Sequence, residues 1–390
     1  MKLNFKKKIA FIATHPIQYY SPIYKGLSRY DNYEIKVFYT WGNSSIHKFE
    51  REFNKDVKWD IPLLDGYNYE FCTNISKDKG THHFNGINAI DLNEKVEAYN
   101  PDLVCIIGWN YKSHLEFINK YSGIYKIALR GDSHLLDKTN FIKQWIKDIY
   151  ISRVFKKIDY FFYVGTNNKE YFRHYGAKDN QLYYINHSIE NHRFSNLDID
   201  NVNELKSKYT IKDCDRVFLF VGKLEEKKGV KLLIDAFSSL NQDDVKLIIV
   251  GDGSERKHIY ASKNKNIIFA GFINQKSIPN YYKLAQVLVI PSIGPNETWG
   301  LVINEAMANG LAIIASDKVG AAKDLISGNG IIVPANDRQS LFNAMRDIFE
   351  YSIQDMSMRS LDIIKDHTLN KSIERYLETF NSILFEKNIS

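Results

Sequence analysis

The densest chemistry in this 390-residue chain lies between Pro291 and Gly310, in PSIGPNETWGLVINEAMANG. Two carboxylates, Glu297 and Glu305, stand there with seven residues between them. The apolar run 287–290 ends at Pro291, and a polar loop then carries Glu297. Leu301, Val302, Ile303, Ala306 and Met307 follow at helical spacing, and Gly310 closes the segment. The pattern predicts a buried strand, a loop and a helix, with Glu305 about two turns along it. Thr298 and Gly300 put small residues and backbone N–H groups at the expected helix start, where unpaired donors and the helix dipole attract anions. An acid at the mouth, amides beside it and a second acid behind suit a polyhydroxylated ligand that carries phosphate. A plainer reading has Glu297 solvated and Glu305 on the helix surface; spacing alone weighs the two equally.

A second stretch, Gly222-Lys-Leu-Glu-Glu-Lys-Lys-Gly229, follows its own apolar run. Glycine allows close backbone approach, and Lys223 and Lys228 bring point charge suited to phosphate. The spelling is not that of a P-loop. Gly251-Asp-Gly253 lacks the third glycine of a dinucleotide fingerprint and reads as a structural turn. Nearer the N-terminus, His15, Gly108-Trp-Asn110 and Arg130-Gly-Asp-Ser133 each follow an apolar run. Singly they read as ordinary loop residues; three polar loops on one sheet edge make a cleft.

The elements that must position these residues alternate. Strands are predicted at 8–13, 33–39, 103–107, 126–129, 160–164 and 182–185, and helices at 22–30, 92–99 and 113–121. Further on, strands are predicted at 216–221, 246–250, 267–270, 287–290, 312–315 and 331–333. Helices there are predicted at 230–240, 277–284, 340–349 and 369–385. Such alternation implies parallel sheets wrapped by helices, with sites at the carboxyl ends of the strands. A polar stretch at 195–215 marks the domain boundary. It holds Asp198-Ile-Asp200 and Asp213-Cys-Asp215, which spell DxD but follow no strand and read as linker. Residues 141–162 place Phe141, Trp145 and Ile149 at i, i+4 and i+8 among Lys143, Lys147, Arg153, Lys156 and Lys157. This is a basic amphipathic helix on a membrane surface, or a surface helix packed on its own domain; the sequence leans to the second.

Bulk composition fits two α/β domains in a soluble globular chain, with 44% hydrophobic residues. The net charge of +6 permits contact with an anionic membrane or nucleotide and demands neither. Nucleic-acid binding has little support. Three cysteines without a CxxC pair argue against disulfides or a zinc site and fit a reducing cytoplasm. The apolar run 9–13 after Lys6-Lys7-Lys8 is too short for a signal sequence, and no stretch approaches a membrane span.

Taken in order, VGKL…KKG, VGDG, GF, PNYYKLAQVLVIPS and ETWGLVINEAMANG resemble the retaining GT-B glycosyltransferases of family 4. The resemblance covers the second half, and HPIQYYSPIYKGL resembles the opening of a bacterial subgroup that builds surface polysaccharide. NHSIENHRF stands where that family has a proline-asparagine-glycine turn. The implied fold is two Rossmann-like domains facing a central cleft: 1–195 on the acceptor side, 196–368 for the nucleotide sugar, and 369–390 a helix crossing back to the first. The implied activity moves a hexosyl or N-acetylhexosaminyl group from a nucleotide diphosphate sugar, UDP before GDP, to a glycan or lipid-linked acceptor. The donor is a substrate, so no cofactor is implied. Lys223 and Lys228 would hold the diphosphate in place of a metal. The family more often has Arg at the first of these positions, whose bidentate fork Lys lacks. Glu297 would touch the sugar hydroxyls, and the N–H groups of Thr298, Trp299, Gly300 and Leu301 would face sugar and phosphate. Glu305 would bind the ribose, Gly222 would give the donor room, and the backbone at Ile273 would meet the base. His15, Arg130 and Asp132 fall on the acceptor side, where a glycine-rich loop is replaced by the His15 loop. The implied location is the cytoplasm, with 141–157 able to contact the inner membrane. An epimerase of the same fold, or a non-catalytic sugar-nucleotide-binding partner of another transferase, are the competing readings. The intact lysines and glutamates count against both.

Overall fold

Strands covered on both faces have no reason to alternate polar and apolar residues, and most of the strands in this chain are continuous apolar runs. The computed structural model describes residues 6–45, 48–50, 55–57, 59–137, 140–196, 198–295 and 297–385. It divides into two compact units: Met1–Lys48, Pro62–His187 and Leu369–Ser390 in the first, Phe49–Ile61 and Ser188–Thr368 in the second.

The first unit is built on seven strands: β1 (Lys7–Ala13), β2 (Tyr33–Tyr39), β3 (Asn68–Phe71), β4 (Leu103–Ile107), β5 (Ile127–Arg130), β6 (Tyr160–Tyr163) and β7 (Leu182–Tyr184). They pair in parallel in the order β3-β2-β1-β4-β5-β6-β7. The second unit has β8 (Arg216–Val221), β9 (Val245–Val250), β10 (Ile267–Gly271), β11 (Val287–Ile290), β12 (Ala312–Ser316) and β13 (Gly330–Val333). These are also parallel, in the order β10-β9-β8-β11-β12-β13. In both sheets the winding reverses at the centre, between β1 and β4 and between β8 and β11. In an open α/β sheet that reversal opens a crevice at the carboxyl ends of the two central strands.

Four helices bear on the sites: α1 (Phe141–Phe155), α2 (Val230–Ser238), α3 (Val302–Ala308) and α4 (Leu369–Phe385). α2 leaves Gly229 directly and buries Val230, Leu233, Ile234 and Phe237 in the core of the second unit. α4 carries Ile373, Tyr376, Phe380 and Ile383 on one face, at i, i+3, i+7 and i+10. They pack with Ile9, Phe11, Ile23 and Tyr24 in the core of the first unit. Burying four such side chains stabilises the packing by roughly 6–12 kcal/mol as an upper bound.

Every strand run predicted from the sequence is present. The sequence reading missed β3, whose first two residues are exposed and whose four-residue run is too short to register. It also missed a small ribbon in which Lys48–Glu50 pairs with Lys55–Val57. The polar stretch 195–215 is not a bare linker: it contains a helix, Ile199–Lys208. The Asp198 carboxylate caps that helix, accepting from the Asn201 N–H at 3.1 Å. Asp213 pairs with Lys206 at 2.7 Å, and Asp215 accepts from the Lys212 N–H at 2.9 Å. Both DxD spellings therefore do local structural work.

Candidate active site

In the second unit, β8 and β11 flank the reversal point, and each delivers one of the sequence-predicted stretches. Gly222–Gly229 leaves β8, and 291–301 leaves β11. The two loops are locked backbone to backbone. Gly229 has φ +69°, and a Cβ there would lie 2.3 Å from the Pro291 carbonyl oxygen. Only glycine fits. The Ile293 N–H donates to the Lys227 carbonyl at 2.8 Å beside this contact. Across it, Lys228 Nζ donates to Glu297 Oε2, an ion pair between residues 69 positions apart. The same oxygen accepts from Ser292 Oγ at 2.8 Å. The Glu297 carbonyl accepts from the Gly320 N–H at 3.0 Å, which fixes the loop from a third segment. The Lys228 and Glu297 side chains keep 23% and 11% exposure, so both are held and both still meet solvent.

The helix start is corrected by the structure. α3 begins at Val302 with Leu301 as its cap residue and no capping side chain. Glu305 therefore lies in the first turn, not two turns along. It is 3% exposed, so it is not a surface residue. Its carboxylate accepts from the Tyr282 hydroxyl at 2.5 Å. A buried carboxylate needs such partners, and Tyr282 is one the sequence did not flag. The Trp299 side chain is buried, and its indole N–H donates to Asn304 Oδ1 at 2.9 Å. The side chain is committed to packing, which leaves only the Trp299 backbone for a ligand. Gly300 has φ +90°, and a Cβ there would meet Val319 Cγ1 at 2.8 Å. Thr298, Gly300, Leu301 and Lys223 are all partly exposed.

Gly222 donates its N–H to the Val250 carbonyl at 3.0 Å. A Cβ on Gly251 would lie 1.8 Å from the Gly222 carbonyl oxygen, and one on Gly253 would lie 2.4 Å from that of Leu224. Gly251-Asp-Gly253 is thus the turn that lets the lysine loop settle, as expected. Ile273 is partly exposed just after β10. Its loop is braced by two residues that sequence reasoning missed, because they come from 49–61, between β2 and β3. The Trp59 ring lies 6.4 Å from that of Phe272, and the Asp60 carboxylate accepts from the Lys276 N–H at 3.1 Å.

The first unit has its reversal between β1 and β4. His15, after β1, hydrogen-bonds through Nδ1 to the Thr14 hydroxyl at 2.9 Å and meets the Trp41 ring edge to face at 5.2 Å. Trp109, after β4, packs on Tyr150 and Phe155 of α1. Arg130 is not the loop residue that the sequence suggested. It is the last residue of β5 and 0% exposed. Its Nη1 and Nη2 donate to the Ile185 and Asn186 carbonyls at 2.9 and 3.2 Å, and its guanidinium lies between the Tyr20 and Tyr376 rings. These two hydrogen bonds tie the end of β5 to the residues that follow β7. Asp132, one turn of loop later, is partly exposed, 3.6 Å from the buried His187 Nε2. Burial holds the His187 imidazole below its ordinary value, against the pull of Asp132. His187 lies in the NHSIENHRF stretch, and nothing in the sequence signals that it meets Asp132.

α1 departs from the expected stripe. Ile151, Val154 and Phe155 are buried, while Phe141, Ile142, Trp145, Ile146 and Tyr150 are exposed, Phe141 at 84% and Trp145 at 60%. At an ideal ~100° per residue the exposed set spans about half the helix circumference. Among the described residues no helix is long and apolar enough to cross a membrane.

Residues 201–360 match the family described as glycosyl transferases group 1. The chain is 34% identical over 136 residues to a phosphatidyl-myo-inositol mannosyltransferase of Mycobacterium leprae, covering 33% of this chain and 36% of that one. It is 30% identical over 138 residues to a lipopolysaccharide 1,2-N-acetylglucosaminetransferase of Salmonella typhimurium, covering 32% and 36%. The matched stretch spans less than half the length of these curated relatives. Among solved structures, Anabaena HepE in complex with UDP superposes with a TM-score of 0.70 at 17% identity, over 96% of this chain and 100% of that one.

Proposed function

We infer, from a GT-B fold whose residues 201–360 are a glycosyl transferases group 1 domain, that the protein is a retaining glycosyltransferase. It uses a nucleotide diphosphate sugar, with UDP the favoured nucleotide because a neighbour of the same fold was solved with UDP. The acceptor is a glycan or lipid-linked glycan of a bacterial surface polysaccharide, in keeping with the lipid and lipopolysaccharide substrates in the relatives' names.

One observation carries this reading. Two loops that flank the reversal of the second sheet bring Lys228 and Glu297 together as a solvent-reached ion pair, and the second of them leads into α3, whose first turn carries the buried Glu305. Lys228 and Lys223 meet the diphosphate. Glu297 holds sugar hydroxyls and Glu305 the ribose, while the backbone at Ile273 meets the base. The C1–O bond to phosphate breaks and the bonding pair leaves with the diphosphate oxygen. The lysines lower the energy of that charge through fixed electrostatics. The acceptor oxygen bonds C1 from the same face, and its proton passes to the leaving phosphate. Lys228 must loosen its hold on Glu297 as the diphosphate arrives, so the pair keeps the cation in place until then.

α1 adds a location. Its exposed apolar face lies among Lys143 and Lys147, a combination suited to an anionic lipid surface on the cytoplasmic side of the membrane.

Thermal melts with UDP, GDP and their sugars test the reading. UDP or a UDP sugar is expected to raise the melting temperature by mass action, and Glu305→Ala to remove the rise. No rise with any nucleotide, or an equal rise in Glu305→Ala, refutes it. Formation of an epimer with donor alone selects the epimerase reading instead.

A further inference from the structure

The loop between Asn74 and Asn88 in the first unit is closed on itself. The buried Asn74 side chain accepts from the N–H groups of Ser76 and Asn88, both at 3.0 Å, and donates to the Gly86 carbonyl at 2.9 Å. Gly80 and Gly86 touch backbone to backbone; a Cβ at Gly86 would lie 2.1 Å from the Gly80 carbonyl oxygen. At the tip of this frame three side chains converge. Asp78 Oδ2 lies 3.0 Å from His82 Nε2 and 3.5 Å from His83 Nε2, and the Asp78 carbonyl oxygen lies 2.9 Å from His83 Nε2. One ligand atom from each residue lies within 4.8 Å of the others.

This convergence is not the default for neighbouring residues. His83 is in extended backbone, where successive side chains point to opposite faces. Yet the His82 and His83 rings are 4.6 Å apart, and both turn Nε2 to the same carboxylate. The His82 ring lies over Gly80, in space that a side chain there would share: a Cβ would lie 2.5 Å from His82 Nδ1. Two ligands about 2.0–2.1 Å from a tetrahedral ion lie roughly 3.3 Å apart. The observed 3.0 and 3.5 Å bracket that edge.

We propose that Asp78, His82 and His83 bind a divalent transition-metal ion of the zinc class. Two imidazoles and one carboxylate are borderline donors, which favour Zn²⁺, Co²⁺ or Ni²⁺ over the all-oxygen sites of Mg²⁺ and Ca²⁺. All three residues reach solvent, so water completes the shell. The imidazole nitrogens must be unprotonated to bind, so affinity falls on acidification. The loop abuts Trp41, since a side chain at Gly80 would touch its ring at 3.7 Å, and Trp41 stands edge to face on His15. The ion therefore stiffens the wall beside the carboxyl ends of β1 and β2. This is separate from the donor chemistry of the second unit and stands or falls without it.

The test is titration of chelator-treated full-length protein with ZnCl₂ by calorimetry and thermal melts, and with CoCl₂ by visible absorption. One ion per chain, a raised melting temperature and ligand-field bands of a nitrogen–oxygen site are expected. His82→Ala, His83→Ala and Asp78→Asn should each weaken binding at least about tenfold. Because Cys214 is an exposed free thiol, Cys214→Ser should bind as the parent does. Absence of saturable binding, equal binding of Mg²⁺, unchanged affinity in the double His82→Ala/His83→Ala variant, or loss in Cys214→Ser overturns the proposal.

Discussion

Each unit places a cation near the carboxyl edge of its sheet, and the two are used in opposite ways. In the second unit Lys228 sits on a loop, keeps 23% exposure and pairs with Glu297. In the first, Arg130 ends a strand, is fully buried and is spent on the Ile185 and Asn186 carbonyls. A cation that must answer a ligand needs solvent and a partner it can leave. A cation that gives both terminal nitrogens to fixed carbonyls is part of the frame. The two positions look alike in the sequence, each a basic residue at or just beyond an apolar run. Burial separates them.

The comparison breaks most sharply at Arg130. Arg130→Met leaves two buried carbonyls without donors, at roughly 1–3 kcal/mol each. A loss of about 2–6 kcal/mol is expected in chemical denaturation of the first unit. Nucleotide binding by the second unit, read by calorimetry below the transition, should stay at the parent level. If Arg130→Met kept its stability and lost only turnover, the guanidinium would belong to the chemistry and the contrast would fail.

Lys228→Ala makes the converse demand. Stability should fall less than in Arg130→Met, because Glu297 still meets solvent and keeps its hydrogen bond from Ser292 when Lys228 is gone. Turnover should fall about 10²–10³-fold, the usual cost of one preorganised donor to developing negative charge. Steady-state rates with donor and acceptor decide it. Turnover near the parent value would remove Lys228 from the mechanism. Glu297→Gln sharpens the point: kcat should drop more than nucleotide affinity, since the residue is assigned to the sugar.

A further test of the first unit as frame is acid. The fully buried His114 donates its Nδ1–H to the Gly108 carbonyl at 2.5 Å, its Nε2 lies 2.9 Å from Thr40 Oγ1, and burial pushes its imidazole down to about 4. Its folded value is below its unfolded one, so the contribution is complete above about pH 6.5. As pH falls the unfolded chain takes up the proton first, and stability is lost progressively toward pH 4. The whole effect is about 3 kcal/mol, with about 2 kcal/mol gone by pH 5. His187, also held low by burial, acts in the same direction. Urea titrations at pH 7.5 and 5 should show this slope, and His114→Gln should flatten it. An unchanged slope in the variant would mean that His114 is not the group responsible.

Sequence alone reached the strands and both site loops of the second unit, because a parallel strand buried on both faces is a continuous apolar run and its loop begins where the run stops. It failed where a residue's role depends on a distant partner. Nothing near Arg130 in the sequence points to the carbonyls of Ile185 and Asn186, 55 and 56 positions on. Tyr282 gives no sign that its hydroxyl will meet Glu305. The start of α3 was read too early, at Thr298 to Gly300 and not at Val302, since Thr298 and Gly300 look like cap residues but belong to a loop pinned by the Gly320 N–H on the Glu297 carbonyl. Nor does anything in the sequence signal that Asp78, His82 and His83 converge at the tip of the loop 74–88.

The smallest expected effect concerns α1, where frame and reach share one helix. Its last turns bury Ile151, Val154 and Phe155, and its first turns expose Phe141, Ile142, Trp145 and Ile146 beside Lys143 and Lys147. Burying that face costs the protein nothing in its own core, so any binding energy must come from outside. Vesicles containing phosphatidylglycerol should shift Trp145 emission to shorter wavelength, with binding that weakens as salt rises. Lys143→Ala and Lys147→Ala should each cost about 1 kcal/mol, roughly fivefold in partitioning, and together about thirtyfold. Uncharged vesicles should bind less well than anionic ones by a similar margin. Partitioning indifferent to salt and to both lysines would leave only a non-specific apolar face, and an emission unmoved by any vesicle would return α1 to the frame.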